Sequence, residues 1–113
     1  MRVRHVAKAR LTVGLEGHSD NSTTVAVSVC APVDVFSRKE GFNRVARNLQ
    51  NDYVRIEGDI SKHTFYSALN AILQHFKQTS PEINFRRCLA IRKAMKLLAP
   101  EIPNHHKNKI MGD

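Results

Sequence analysis

Two stretches of this chain carry positive charge with no acid to balance it, and each has the period of a regular element. From Met1 to Leu15 the charged residues are Arg2, Arg4, Lys8 and Arg10. From Ile83 to Leu98 they are Arg86, Arg87, Arg92, Lys93 and Lys96. Cations fixed on a strand period and a helix period form a folded basic surface instead of a loose basic tail. Such a surface attracts phosphates, acidic lipid or an acidic protein face.

The first stretch alternates. Val3, Ala7, Ala9, Leu11, Val13 and Leu15 fall on one face with His5 among them, and Arg2, Arg4, Lys8, Arg10 and Thr12 on the other, Val6 being the exception. Period two predicts one strand over 2–15 with an apolar face and a line of cations. The same line would also guard an edge strand against aggregation. The turn-rich run 16–22 follows, then T-T-V-A-V-S-V-C-A over 23–31. That β-branched, uncharged run suits a central strand covered on both faces, ended by Pro32 and paired with the first as a hairpin.

Three helical patterns complete the chain. Ser37 with Glu40 three residues on reads as a capping box, opening a helix over 37–51 with Phe42, Val45, Ala46 and Leu49 inward. A short third strand is expected over 53–57. Ser61 is read as the cap of a second helix reaching Gln78, whose stripe of Phe65, Ala68, Leu69, Ile72, Leu73 and Phe76 marks the main core helix. Ser80-Pro81-Glu82 signals a third helix to about Ala99, with Phe85, Cys88, Leu89, Ile91, Met95 and Leu98 available to the core. The order β-β-α-β-α-α is an α+β domain, a small, mostly antiparallel sheet backed by three helices. The domain is expected over 1–99, with 100–113 a flexible tail.

The chain has 113 residues, which suits one domain, and 18 Lys and Arg against 10 Asp and Glu, a formal charge of +8. No apolar run is long enough for a transmembrane helix, and the alternating N-terminus is not a signal peptide, so no membrane role is expected. The two cysteines, Cys30 and Cys88, form no C-x-x-C pair and no disulfide framework, which favours a reducing, cytoplasmic setting. The histidines His5, His18, His63, His75, His105 and His106 lack metal-ligand spacing. No hydrolase, metalloprotease or phosphate-loop motif is present, and clustered acids for metal-ion catalysis are lacking. A binding protein without cofactor or metal is the expectation, rather than an enzyme.

The residues that carry this expectation are distributed. On the first helix they are Arg38, Lys39, Arg44, Arg47 and Asn48; on the third, Arg86, Arg87, Arg92 and Lys93. Arginine dominates the set, and its planar fork grips phosphate through two donors and stacks on bases. Asn43, Asn48 and Asn51 could add hydrogen bonds to base edges. Arg38 and Lys39 beside the helix-start amides could hold a phosphate, though a plain capped helix explains the same residues. Aromatic residues make up only 6% of the chain, too few for a base-stacking platform of the RNA-recognition type.

The segment Cys30-Ala-Pro-Val-Asp-Val-Phe-Ser-Arg-Lys-Glu-Gly41, continued by Phe42-Asn43-Arg44-Val45-Ala46, resembles a C-x-P-x-D-x-F-S-R-K-x-G pattern of small phage-encoded accessory proteins. That resemblance implies a counter-defence function in an infected bacterial cell. It would act by sequestering cyclic nucleotide signals or by directly inhibiting a host defence complex, as anti-CRISPR proteins do. It carries Arg38, Lys39 and Arg44 forward as ligand contacts. Two partners are therefore expected as alternatives: nucleic acid or a small nucleotide, or an acidic surface on a host protein. An unpaired edge on the first strand would favour self-association into a homo-oligomer.

Overall fold

The computed structural model describes residues 1–101. Four antiparallel strands, β1 (Arg2–Val6), β2 (Leu11–Gly17), β3 (Ser22–Val29) and β4 (Val54–Glu57), form one sheet in the order β1-β2-β3-β4. Helix α1 (Arg38–Asn51) joins β3 to β4, and α2 (Phe65–Thr79) and α3 (Phe85–Leu98) follow. The α+β class and antiparallel sheet agree with the sequence pattern, in the order β-β-β-α-β-α-α. Residues 100–101 belong to a short 3-10 turn over Ala99–Glu101, and the rest of the expected tail lies outside the described residues.

The predicted first strand is two strands. Ala7-Lys8-Ala9 winds into a 3-10 turn, and Arg10 closes it in the left-handed region at φ 54°. The chain then reverses, so that Arg2 lies opposite Leu15, Arg4 opposite Val13 and His5 opposite Thr12. The reversal separates the expected apolar face. Val3 joins the small cluster of Ala26, Val45 and Leu49, whereas Leu11, Val13 and Leu15 join the main core on the other side of the sheet. It also dissolves the line of cations. Arg2 donates to Ile60 O at 3.1 Å and His63 O at 3.2 Å and stacks on Phe65, holding β1 to the approach of α2.

The sheet is a middle layer. Leu11, Val13, Leu15, Val25 and Val27 meet Leu69, Ile72, Phe76 and Ile91 of α2 and α3 in the main core. Full burial of each large apolar side chain contributes about 1.5–3 kcal/mol. The opposite face carries Thr12, Gly14 and Ala26, small enough for α1 to lie close. A Cβ on Gly14 would stand 3.0 Å from Val45 Cγ1, and one on Gly41 would overlap Thr12 Oγ1.

The helix boundaries refine the expected ones. Ser37 caps α1 by accepting from Glu40 N at 3.2 Å, but Glu40 pairs with Arg44 instead of returning to the cap. Thr64, not Ser61, caps α2, with a reciprocal bond from Ser67; Ser61 belongs to a separate 3-10 turn held by Asp59. Residues 81–84 form turns, and α3 starts at Phe85 behind Asn84, later than the Ser-Pro-Glu signal suggests. Phe42, Phe85 and Leu89, assigned inward by spacing, are 43%, 59% and 48% exposed. The later start of α3 and the closeness of α1 leave these three at the margins of their buried stripes.

Candidate functional site

A cleft opens where the sheet loses its last strand. β4 pairs with β3 only from Ser22 to Val25, with Val25 opposite Val54, yet β3 continues to Val29. Beyond Val25 the free side of β3 faces a space of about 770 Å³ between the end of α1 and the start of α3. Such a volume lies within the usual range for small-molecule sites.

Each bounding element supplies a distinct chemistry. The floor is backbone and small side chains from Val27 to Pro32. The α1 wall is Arg44, Arg47 and Asn48, which share a helix face by their three- and four-residue spacing. The α3 wall is Arg86, Arg87 and Leu89, with Ile83 just before it. Arg10 borders the end of the floor. The lining thus holds five arginines and no carboxylate.

The five differ in what already occupies them. Arg87 reaches Asp52 at 2.8 Å and stacks on Phe76 at 5.3 Å, tying α3 to the C-cap of α1. Arg44 pairs with Glu40 one turn earlier. Both pairs are exposed, and such pairs contribute about 0–1 kcal/mol, so an incoming phosphate can compete for either arginine. The guanidinium groups of Arg47 and Arg86 have no hydrogen bond or ion pair among the described residues. Arg10 is structural. Its Nη2 donates to Ala31 O at 2.8 Å, to Asp34 O, and to Cys30 Sγ at 3.4 Å, pinning the segment after β3. Its buried Nε is without a partner among the described residues. Asn48 Nδ2 donates to Val27 O at 2.9 Å and so closes one carbonyl of the free β3 edge.

The structure therefore gathers Arg44, Arg47, Asn48, Arg86 and Arg87 from the sequence-predicted set. It leaves Arg38, Lys39, Arg92 and Lys93 exposed and outside the cleft. Arg38 and Lys39 lie on the first turn of α1, where the Ser37 cap takes the Glu40 amide. The crevice at that helix start is only about 20 Å³ and contains Asp34 and Glu40, which repel a phosphate. Arg92 and Lys93 lie further along α3, past the reach of β3. Arg10 was missed as a cleft residue because alternation placed it on a strand face. The positive φ that redirects it has no signature in a non-glycine residue.

Cys30 and Cys88 are free thiols, half-buried and buried respectively. No cluster of three or more potential metal ligands occurs among the described residues, and none of their helices is long and apolar enough to cross a membrane. Comparisons of the chain with known protein families, with curated proteins and with solved structures return no match.

Proposed function

We propose that this protein is a non-enzymatic binder of a phosphate-bearing ligand and that the cleft between α1, β3 and α3 is its binding site. The observation that carries the reading is the convergence of five arginines from three parts of the fold on one cleft without a carboxylate. Phosphate recognition needs planar, multiply donating cations, and Arg47 and Arg86 are uncommitted. Sequestration of a nucleotide by a small phage counter-defence protein would use such a site; of the three contacts that the sequence resemblance carries forward, Arg44 lines it and Arg38 and Lys39 do not.

A second reading has its own support. Ile83 is 87% exposed beside Phe85 and Leu89, an apolar margin suited to a protein partner with an acidic surface. The ultraviolet spectrum of purified protein, before and after a high-salt wash, separates the two. With no Trp and only two Tyr, the chain absorbs weakly, so retained nucleobases dominate the spectrum. Nucleobase absorption that survives salt and leaves on heating is expected for a small nucleotide. Absorption removed by salt indicates a polymer held through its backbone. Absence of nucleobase absorption, together with no affinity for added pyrophosphate, would overturn phosphate binding in favour of the protein partner.

A further inference from the structure

The floor of the cleft carries hydrogen-bonding groups that the arginines do not explain. Backbone groups in a strand point alternately to its two sides. On β3 the even positions face β2: Ser22 O accepts from His18 N at 3.0 Å, and just past the strand Cys30 N donates to Arg10 O at 2.8 Å. The odd positions face the other side, where β4 ends opposite Val25 and Asn48 takes the Val27 carbonyl. Val29 is next in the series. Its N–H and C=O point into the cleft and have no partner among the described residues. Val29 is half-buried, and a ligand that pairs with both groups gains affinity over one that leaves them to water.

One residue on a free edge presents a donor and an acceptor side by side. Its complement is an adjacent acceptor and donor in one plane. Every unpaired base offers this: adenine at N1 and its 6-amino group, guanine at O6 and N1–H, cytosine at N3 and its 4-amino group, uracil at O4 and N3–H. Across the cleft, Leu89 and Ile83 supply apolar surface for a ring face, and Arg47 and Arg86 stand on the two walls. A second copy of this chain is disfavoured as occupant because it would bring like charge to five arginines.

We propose that the cleft binds a nucleotide through an unpaired base, with Val29 pairing with the donor–acceptor edge of the base while Arg47 and Arg86 hold the phosphates. The proposal rests on the phosphate-binding reading above and adds the identity of the ligand's neutral half.

Calorimetric titration of the full chain with ADP, GDP and inorganic pyrophosphate tests it. At least one purine diphosphate is expected to bind about tenfold or more tighter than pyrophosphate, the worth of one good paired contact. Val29→Pro deletes an N–H that serves no ladder bond, a substitution tolerated on a free edge. It is expected to reduce nucleotide affinity more than pyrophosphate affinity, so that the two converge. Should that variant not fold, N6,N6-dimethyl-ADP and N1-methyl-GDP on the unaltered protein remove the donor from the base instead and should show the same loss. Equal affinity for nucleotides and pyrophosphate, or full affinity for the blocked bases, overturns base reading and leaves a phosphate site. Tighter binding of an acetylated Glu-Val-Glu-Val amide, in competition with ADP, would assign the edge to strand addition and also overturn it. No binding of ADP, GDP or pyrophosphate would remove the phosphate-binding reading itself.

Discussion

At the scale of the residue, two arginines and one histidine show how position overrides residue type. Arg10 and Arg47 line the same cleft, but Arg10 spends its donors on the Ala31–Asp34 backbone, whereas the Arg47 guanidinium has no partner among the described residues. Of these two guanidinium groups only that of Arg47 is available to an anion, the bond from Asn51 Nδ2 being to the Arg47 carbonyl. His5 lies between the sheet and the start of α1, with Nδ1 2.9 Å from Thr12 Oγ1. Burial, and then the Arg38 charge, hold its pKa below the ordinary 6.5. The folded protein therefore prefers the neutral ring, while the unfolded chain takes up the proton more readily. This contribution to stability is complete above the unfolded pKa and is lost as pH falls through the lowered folded value. His5→Gln removes the titration. Urea denaturation at about pH 7 and pH 5 should show a smaller loss of stability for this variant than for the unaltered protein. An equal loss in both would mean that His5 does not sense the protein interior.

At the scale of the element, α1 is placed by what the sheet lacks. Thr12, Gly14 and Ala26 leave a shallow face, and Gly41 lets the helix backbone settle on it. In an exposed helix, Gly→Ala stabilises by about 1 kcal/mol. Here the added Cβ would overlap Thr12 Oγ1, so Gly41→Ala should destabilise by about 1–3 kcal/mol, measured by urea denaturation. The sign distinguishes close packing from simple propensity, and a gain in stability would contradict the placement of α1. The elements were also the most legible part of the chain. The β-branched run became β3, and the α2 stripe became the core, because periodicity and burial act together there. Alternation over 2–15 could not reveal that Ala7–Arg10 turns the chain back. Period two continues in register on either side of the turn, and the turn uses neither Gly nor Pro.

At the scale of the whole molecule, a charge of +8 becomes directional only through the fold. The two basic stretches visible in sequence do not act as two surfaces. The first breaks at Ala7–Arg10, leaving Arg2 strapped to the approach of α2 and Arg10 at the cleft; the second contributes only its opening turns, Arg86 and Arg87. Five of the nine residues singled out by composition and spacing meet at one place: Arg44, Arg47, Asn48, Arg86 and Arg87. Their convergence depends on β4 stopping opposite Val25, a tertiary event that no local pattern records. The central claim is that this cleft, and not basic surface in general, receives the anion. Titration of the ¹⁵N-labelled protein with inorganic pyrophosphate, followed by amide chemical shifts, tests it most directly. Saturable shifts confined to Val27–Ala31, Arg44–Asn48 and Ile83–Leu89 are the predicted result. Absence of shifts, or weak shifts spread over β1 and the exposed cations Arg38, Lys39, Arg92 and Lys93, would contradict it.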